Sequence, residues 1–499
     1  MPLSPLLFII IPLAAAFLVV LLGRGRELLG YIFSCCSAFI LLFASVSALV
    51  FVHRLPSHIF IYNIGGWVMP FGIGLVFDAF SSLMLVVVNL ISFMAAVYSL
   101  RYISRYTDTW KFYSLFMLMI AGLNGVVASG DIFNMYVFLE IASISAYALV
   151  AFGTEAQDLE AAFKYAIMGA VASLFILLGI ALLYSYASTL NMADLALVLA
   201  EKPHGFLVSF ITALFLVGFG LKAAMVPFHA WLPDAHPSAP APISAMLSAV
   251  VIKTLGVYAL ARVVFNILGM PSKALYVLMI LGAVSMIAGA ALAVNQRDIK
   301  RMLAYSSISQ VGYILLALGI GTPLAIIGAL FHLINHAVGK SLLFLNSGAV
   351  DHAAGTRDME KLGGLNKRMP VTAGTSLIGS LSISGIPPFA GFWSKFLIIV
   401  AAAQSGHLIL AFIAVIVSVI TLVYYLKFQN KVFFSELLQG LEKVKEVSLS
   451  MNIVVISLAA ISIVAGLMLL PSLRPLLERA ADVLAMGANY KDLVMGGLR

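Results

Sequence analysis

Long apolar runs alternate with short polar stretches along nearly the whole chain of 499 residues. The runs fall near 3–22, 29–52, 73–99, 112–129, 131–152, 163–187, 206–230, 241–265, 275–294, 302–320, 324–349, 372–402, 408–430 and 450–471. Most are close to the roughly 20 residues that an α-helix needs to cross the hydrocarbon core of a bilayer. The pattern predicts an all-α polytopic membrane protein with about fourteen transmembrane helices.

Composition indicates that lipid rather than water surrounds this chain. Hydrophobic residues make up 62% of it and charged residues 10%, whereas soluble domains average about 25% charged residues. The net charge of +8 does not indicate a nucleic-acid partner, because the basic residues lie in short loops, where they act as topology signals. The first run lacks a basic leader and a small-residue cleavage site, so we expect a retained span rather than a cleaved signal peptide.

The distribution of lysine and arginine predicts the orientation of the helices. With the N-terminus outside, inner loops carry Arg24, Arg26, Arg101, Arg105, Lys111, Lys164, Arg297, Lys300, Arg301, Arg357, Lys361, Lys367, Arg368, Lys427, Lys431, Lys443 and Lys445. Outer loops carry only Arg54, Lys202, Arg262 and Lys273. Because cytoplasmic loops hold the excess of positive charge, both termini are predicted to lie outside the cell membrane.

Four further lysines stand inside apolar runs: Lys222, Lys253, Lys340 and Lys395. A charge near the bilayer centre costs at least about 2.5–3.5 kcal/mol on insertion scales. Ionisable residues inside a membrane commonly mark ion or proton pathways, so these lysines are the first candidates for function. Glu140 joins them from within the run 131–152.

Two predicted helices are broken by proline. One break follows Lys222 at Pro227, and the other lies at Pro387 and Pro388. Proline removes a backbone donor, and the freed groups are tolerated at membrane depth only where they face protein or a wet cavity. Interrupted helices at corresponding places in two halves of a chain point to the site of a transporter.

A short motif repeats beside the two breaks. Gly-Phe-x-x-Lys occurs at 218–222 and again at 391–395. Together with the broken helices, it favours an internal repeat of about five spans. Coincidence in an apolar sequence of low complexity is the alternative.

Glu140 and Lys222 need each other or another partner. An unpaired buried carboxylate would be driven neutral, whereas a lysine partner keeps both groups charged. The charges of Glu140 and Lys253 would set whether Lys222 holds its proton, so moving one group switches the next. A static salt bridge, with a purely structural Lys222, is the alternative.

His332, His336 and Lys340 are spaced four residues apart and share one face of a helix. Histidine titrates near physiological pH, which suits a proton relay. Two histidines at this spacing can also chelate zinc, but no carboxylate or thiol joins them locally and Lys340 would repel a cation. No metal is predicted, and a packed polar core stays an alternative to the relay.

Further polar residues accompany these candidates. His229, Asp234 and His236 follow Lys222 and either mark proton uptake or release or brace the broken helix. The residues that could hold water between relay groups are Ser306, Ser307, Ser309, Gln310 and Asn335.

The remaining conspicuous residues predict no redox chemistry. Asp78 is expected to be structural or a subunit contact, and the adjacent Cys35 and Cys36 to be ordinary helix residues. Neither a P-loop nor a dinucleotide fingerprint is found, and two adjacent cysteines cannot ligate an iron–sulfur cluster. We expect no cofactor.

At these residues the sequence resembles the antiporter-like membrane subunits of respiratory complex I, Mrp-type sodium/proton antiporters and membrane-bound hydrogenases. The resemblance covers roughly 70–480. It rests on Glu140, Lys222 with Pro-Phe-His-Ala-Trp-Leu-Pro-Asp-Ala-His, Lys253, His-Leu-Ile-Asn-His-Ala-Val-Gly-Lys, and Gly-Ile-Pro-Pro-Phe-Ala-Gly-Phe-Trp-Ser-Lys. It implies fourteen helices, with the seventh and twelfth broken. The implied parts are three N-terminal helices (1–110), two inverted five-helix repeats (111–266 and 273–433) and a C-terminal helix and tail (434–499).

The resemblance also implies roles. Glu140 and Lys222 would be the coupling pair and Lys253 the central relay residue. The relay would continue through His332, His336 and Lys340 to Lys395. Some relatives carry histidine at the position of Lys253 and glutamate at that of Lys395. The long lateral helix of the largest complex I subunit is not expected, and the chain is more similar to the D-type Mrp subunit.

The implied function is proton translocation by one subunit of a multisubunit membrane complex, coupled to partner subunits. The complex would be an ion-translocating oxidoreductase, NADH:quinone-like or a hydrogenase, or a cation/proton antiporter. The alternatives are an Mrp-type Na⁺/H⁺ antiporter subunit without redox coupling, a subunit contributing to a quinone site, and a scaffold with a vestigial channel.

Overall fold

The computed structural model describes residues 4–24, 26–201 and 205–496. Its α-helices are α1 (Leu7–Leu22), α2 (Glu27–Arg54), α3 (Ala79–Tyr102), α4 (Thr109–Ala128), α5 (Ile132–Val150), α6 (Ala156–Ala187), α7 (Met192–Glu201), α8 (Phe206–Lys222), α9 (Leu232–Ser238), α10 (Ala241–Met246), α11 (Ala259–Ala261), α12 (Ser272–Val294), α13 (Ile299–Ile320), α14 (Pro323–Ala354), α15 (Pro370–Ser384), α16 (Ala390–Gln404), α17 (Leu408–Gln429), α18 (Leu449–Val464), α19 (Arg474–Ala485) and α20 (Tyr490–Gly496). Two strands, β1 (Ile59–Asn63) and β2 (Gly74–Asp78), complete the fold.

Membrane-spanning helices make up most of the described chain. Eleven helical segments in it are long and apolar enough to cross a bilayer, and three shorter apolar helices, α1, α8 and α16, accompany them. The prediction of an all-α polytopic membrane protein is therefore confirmed. The count of fourteen spans and the two inverted repeats stay predictions, since length and composition alone do not establish them.

The apolar run 73–99 is not helical from its start, contrary to our expectation. Its first residues form β2, which pairs with β1 in an antiparallel hairpin that sets Ile59 opposite Asp78. The helix α3 begins only after Asp78, whose carboxylate accepts a hydrogen bond from the amide of Ser81 at 2.8 Å. An aspartate that caps a free helical N–H in this way defines where a helix begins.

Both proline-bearing helices are interrupted, as predicted. Between α8 and α9 the chain turns through Ala224, which has a left-handed φ of 53°, and then passes Pro227. Between α15 and α16 it turns at Gly385, with a φ of 85°, before Pro387 and Pro388. Each break leaves backbone carbonyls without a helical partner, and in this protein the neighbouring side chains bind several of them.

A central rod packs against the first break. It runs from Ala241 to Ile267 through α10, π-helical turns, α11 and further π-helical turns. The apolar stretch of this rod is completely buried, whereas only a third of the apolar stretch in the peripheral helix Leu449–Leu469 is buried. A Cβ on Gly256 would lie 2.5 Å from the Cα of Ala223, so this glycine allows the rod to touch the broken helix.

Two basic residues that we placed in loops lie inside the protein instead. Arg262 is buried near the end of the rod, and Lys300 is buried in the first turn of α13. The loop assignment was wrong because the rod continues to Ile267 and α13 begins before the apolar run 302–320. Each charge is therefore enclosed by neighbouring elements rather than exposed at a helix end.

The segment after α18 is more structured than the predicted tail. It forms α19 and α20 and packs at the same end of the bundle as the hairpin. The hydroxyl of Tyr490 donates to Asp78 Oδ2 at 3.1 Å, and Asn266 Nδ2 donates to the carbonyl of Val483 at 2.6 Å. Asp78 is thus a buried structural residue, as one of our two expectations for it proposed.

Candidate functional site

Glu140 on α5 and Lys222 at the end of α8 form an ion pair inside the bundle. Lys222 Nζ lies 3.6 Å from Glu140 Oε1. It also donates to the hydroxyls of Ser143, at 2.9 Å, and Tyr147, at 3.3 Å. Ser173 on α6 donates to the carboxylate of Glu140. Lys222 therefore has two further partners that can hold its ammonium group when Glu140 moves or is protonated.

The two members of this pair differ in burial. The side chain of Lys222 is 4% exposed and that of Glu140 is 27% exposed. Val137 and Ile144, on the same helix, are exposed apolar residues. Glu140 consequently lies at the rim of the bundle, where lipid or another chain meets it, while Lys222 lies inside.

A chain of aromatic rings holds the break next to Lys222. The ring of Tyr147 meets that of Tyr165 edge-on at 4.5 Å, and Tyr165 stacks on Trp231 at 4.1 Å. Trp231 Nε1 then donates to the carbonyl of Leu221 at 3.1 Å. Because a helix break leaves carbonyls unpaired, this bond both satisfies Leu221 and fixes the position of the residue that follows it.

Lys253 lies at the centre of the rod and is fully buried. Its Nζ donates to the carbonyl of Ser248, one π-helical turn earlier. The hydroxyl of Ser248 in turn lies 2.7 Å from that of Ser307 on α13. Lys253 thus reaches α13 through Ser248, whose carbonyl it binds and whose hydroxyl meets Ser307.

His332 on α14 connects two neighbouring helices. Its Nδ1 lies 3.0 Å from Ser394 Oγ on α16, and its Nε2 lies 3.1 Å from Gln310 Oε1 on α13. An amide oxygen only accepts, so Nε2 donates to Gln310, whereas the Ser394 hydroxyl, which also lies 3.2 Å from the carbonyl of Gly391, can accept from Nδ1 or donate to it. Each ring nitrogen thus has a polar partner on a neighbouring helix, as a proton relay requires.

His336 lies one helical turn further along α14. Its ring centroid is 6.3 Å from that of His332. Among the described residues, neither of its buried ring nitrogens has a hydrogen-bond partner. The positive charges of Lys253 and Lys340 both act on this ring. An imidazole without fixed partners can turn and exchange a proton with more than one neighbour.

Lys340 lies within a group of hydroxyls. Its Nζ donates to Tyr425 OH and to the carbonyl of Leu303, each at 3.0 Å. The hydroxyl of Ser306 meets Tyr425 OH at 3.1 Å and Tyr424 OH at 2.7 Å. The ammonium group is therefore held by neutral oxygens from α13 and α17.

Lys395 lies beside the second break, as Lys222 lies beside the first. Its Nζ is 3.3 Å from the carbonyl of Ser384, the last residue of α15, and 3.3 Å from Ser418 Oγ. It also stands 4.9 Å from the centre of the Tyr313 ring. Within the described parts of the chain, no carboxylate oxygen lies within 4.0 Å of the Nζ of Lys253, Lys340 or Lys395.

The structure separates the three residues that we grouped after Lys222. Asp234 forms ion pairs with Lys164 at 3.0 Å and Arg301 at 3.1 Å, which ties α9 to α6 and α13. His229 is half-buried. His236 is fully buried, with its ring stacked on Phe344 at 4.4 Å. The geometry of Asp234 suits a brace, and that of His236 points inward.

Sequence reasoning missed the residues that hold the lysines. Tyr147, Tyr313 and Tyr425 were not singled out, because a tyrosine in an apolar run does not differ from an ordinary core residue. Lys300 was missed for another reason. It stands beside Arg301 at the edge of an apolar run, where a loop is the usual expectation.

Two protein families match parts of this chain. The family described as "NADH:quinone oxidoreductase/Mrp antiporter, TM" matches residues 129–421. A second, described as "NADH-Ubiquinone oxidoreductase (complex I), chain 5 N-terminus", matches residues 61–113. All seven predicted relay residues and both broken helices fall within the first match.

Two curated relatives align over most of their length. The chain is 38% identical over 430 residues to NADH-quinone oxidoreductase subunit N of Desulforudis audaxviator (strain MP104C), covering 85% of each. It is 34% identical over 442 residues to the D-type Na(+)/H(+) antiporter subunit of Alkalihalophilus pseudofirmus, covering 88% of this chain and 89% of the relative.

Two solved structures contain a chain of the same fold. One is the Mrp complex from Dietzia sp. DQ12-45-1b, with a TM-score of 0.91, 28% identity and coverage of 99% of this chain and 100% of that one. The other is the membrane-bound sulfane sulfur reductase, an archaeal respiratory membrane complex, with a TM-score of 0.91, 35% identity and coverage of 98% and 99%. Since these proteins are subunits of multisubunit membrane complexes, other membrane subunits are expected around this chain.

Proposed function

Because the chain belongs to the NADH:quinone oxidoreductase/Mrp antiporter family of membrane subunits, we propose that it moves protons across the membrane as one subunit of a larger complex. The relay consists of Glu140, Lys222, Lys253, His332, His336, Lys340 and Lys395. The two inverted repeats at 111–266 and 273–433 and the broken seventh and twelfth helices are part of the proposal.

One observation carries this proposal: the 3.6 Å ion pair between partly exposed Glu140 and buried Lys222, beside a helix break. A carboxylate at the rim of an apolar bundle responds to charges in whatever covers it. A lysine enclosed by the bundle responds to the carboxylate. The pair can therefore convert an event in a partner subunit into gain or loss of a proton inside this one.

The steps follow from the charges. When Glu140 is drawn away or neutralised, Lys222 loses its counter-charge, and burial then disfavours the ammonium form. Its proton passes through water and hydroxyls to Lys253, on along α14 through Lys340, His336 and His332, and to Lys395. In each transfer an N–H or O–H bond breaks on the donor as an N–H or O–H bond forms on the acceptor.

A partner subunit is required by the position of Glu140. Its helix presents Val137 and Ile144 outward, and a carboxylate facing hydrocarbon costs several kcal/mol. Another membrane subunit that covers this face supplies the group that moves or neutralises Glu140. We place the complex in the cell membrane, with both termini of this chain outside, on the strength of the lysine and arginine distribution.

Reconstituted complexes test the relay. Glu140→Ala and Lys222→Ala complexes in proteoliposomes are expected to lose at least about nine tenths of proton translocation, while assembling with their partners. Assembled complexes of either variant that translocate protons at the normal rate would exclude the relay.

A second function is Na⁺/H⁺ exchange without redox coupling, which the similarity to a D-type antiporter subunit favours. Sodium dependence discriminates the two. Exchange predicts that a sodium gradient alone drives proton movement in vesicles, and a redox-coupled pump predicts movement only with electron donor and acceptor. A contribution to a quinone site would instead appear as protection of this chain from labelling by added quinone.

A further inference from the structure

A polar cavity of about 200 Å³ lies at the end of the bundle where the lysine- and arginine-rich loops gather. Its charged wall residues are Arg105, Glu155, Asp158, Lys300, Asp351 and Arg357. Glu155 is exposed, so the cavity is continuous with the surface. At about 30 Å³ per molecule, it has room for several waters. Balanced charge and polar walls suit water and protons better than an anionic ligand.

Lys300 forms the innermost charged part of this wall. It is fully buried, and its Nζ donates to the carbonyl of Ala239 at 2.7 Å. Ala239 lies at the join between α9 and α10. Within the described residues, no carboxylate oxygen lies within 4.0 Å of this Nζ. A buried lysine without a directly paired acid is rare in proteins, and here Asp351 and Asp298 act on Lys300 only at longer range.

Bracing of the backbone does not require Lys300. The hydroxyl of Ser244 already donates to the carbonyl of Ala239 at 3.2 Å and to that of His236 at 2.8 Å. Arg357 donates to the neighbouring carbonyl of Pro237. The join between α9 and α10 thus has two other donors, so a third donor that must be desolvated adds little as a brace.

His236 is a second buried titratable group, three residues before Ala239, whose carbonyl Lys300 binds. Among the described residues, neither of its ring nitrogens has a hydrogen-bond partner, although the side chain is fully buried. The charges of Lys300, Lys253 and Lys340 all act on it. Its stacking on Phe344 sets the plane of the ring and leaves the nitrogens free at the edge. His236 is therefore within electrostatic reach of both the cavity lysine and two relay lysines.

We propose that this cavity is the proton-uptake mouth and that Lys300 passes protons from its water to His236 and on to Lys253 or Lys340. The inference rests on the proposed function. A hydronium ion in the cavity gives a proton to the neutral amine of Lys300, and the ammonium then gives one to the imidazole of His236. The imidazolium protonates the next lysine, so every step is a proton transfer that needs no oxidant or reductant.

The substitution Lys300→Arg separates a relay residue from a brace. Arginine keeps the positive charge and a donor for Ala239, but it does not release a proton in proteins. The complete complex in proteoliposomes containing a pH-sensitive dye is expected to pump at no more than about a tenth of the wild-type rate. Lys164→Arg, the same substitution at an exposed lysine near the same end, is expected to pump normally. A Lys300→Arg complex that pumps like wild type would overturn the proposal.

A second measurement does not depend on Lys300. Ser238 lines the cavity and is half-buried, so Ser238→Cys in a Cys35→Ser, Cys36→Ser background gives a single thiol there. A membrane-impermeant, negatively charged thiol reagent added from the loop-rich side is expected to reduce pumping at least fivefold, and from the other side to do nothing. Complete labelling with unchanged pumping would contradict an uptake mouth at this place.

Lys222→Arg, measured in parallel, distinguishes failure of the proposed relay from failure of this uptake route. If Lys222→Arg pumps normally, the proposed relay itself fails. If Lys222→Arg is inactive while Lys300→Arg and labelled Ser238→Cys both pump normally, the relay stands and only this uptake route is wrong.

Discussion

Two acid–base pairs lie inside the same bundle and are built in opposite ways. Arg262 Nη2 and Asp78 Oδ1 are 2.7 Å apart, and both side chains are almost completely enclosed. Lys222 and Glu140 are 3.6 Å apart, and the acid is 27% exposed. The first pair joins the hairpin, the rod and the C-terminal helices. The second joins α5 and α8 at the rim.

The two ion pairs also differ in the hydrogen-bond partners that surround them. Asp78 also accepts from Tyr490 and from the amide of Ser81, while Arg262 also donates to Tyr258 and Asn266. Every strong group in that network has a fixed partner, which makes it rigid. Among the residues that the structure describes, Glu140 is held by the hydroxyl of Ser173 and by the Lys222 ammonium at 3.6 Å. The ion pair that braces the fold is thus fully enclosed and hydrogen-bonded, whereas the pair that can act as a switch leaves one of its members free to move.

The largest expected effect on stability comes from the enclosed pair, Arg262 and Asp78. Asp78→Asn leaves Arg262 buried without its counter-charge, and removal of one partner from a buried pair costs about 3–5 kcal/mol. The melting temperature of the complex is expected to fall by several degrees, while proton translocation per assembled complex stays near wild type. A loss of translocation without loss of stability would show that the two pairs are not different in kind.

The next largest effect, on translocation, comes from the partly exposed pair, Glu140 and Lys222. Glu140→Gln is expected to reduce translocation at least about tenfold, with little change in melting temperature, because Ser143 and Tyr147 still hold Lys222. The translocation rate and the melting temperature are both measured on the same preparation of the complex. If Glu140→Gln destabilises the complex as strongly as Asp78→Asn, Glu140 is a brace.

A smaller effect is expected from the hydroxyl that shares Lys222 with Glu140. Tyr147→Phe removes one hydrogen bond, worth about 0.5–1.5 kcal/mol net, and should slow translocation about two- to fourfold. Tyr184→Phe, at an exposed tyrosine on the same neighbouring helix as Ser173, is the matched control and should change nothing. Equal rates for both variants would remove Tyr147 from the site.

The smallest effect is expected at a surface pair. Lys111 Nζ lies 2.6 Å from Asp108 Oδ2, and both side chains are about half exposed. The hydrogen bond from Lys111 lowers the pKa of Asp108, so any contribution is present at neutral pH and disappears as pH falls through that lowered pKa. Lys111→Gln should leave melting temperature and translocation unchanged at pH 7, since exposed pairs contribute little. A clear loss of either would mean that distance alone, and not enclosure, decides what a pair does.

The broken helices and the interior lysines could be predicted because they are chemically out of place in apolar runs. Prolines such as Pro227 and Pro388 lack a backbone N–H donor wherever they stand, and Lys253 cannot lie in lipid without a reason. Arg262 and Lys300 could not be assigned, because their burial depends on elements far away in sequence, such as the C-terminal helix that carries Tyr490. Pattern reasoning has no access to such contacts.

The partners of the lysines were hidden for a related reason. A serine in an apolar helix can donate to a carbonyl of its own helix as readily as to a neighbour, and a tyrosine there resembles any core residue, so Ser418 and Tyr425 carry no distinctive signal. The same limit applies to the hairpin. Strand β2 is as apolar as the helix that follows it, and only its pairing with β1 distinguishes the two.

The central claim is that Lys222 must release its proton and not merely carry a charge. Lys222→Arg keeps a cation beside Glu140 but does not release a proton. The direct test is the initial rate of proton translocation by the assembled complex in proteoliposomes. The relay predicts a rate at or below about a tenth of wild type with an unchanged melting temperature. A normal rate would contradict it and leave the pair as a static salt bridge.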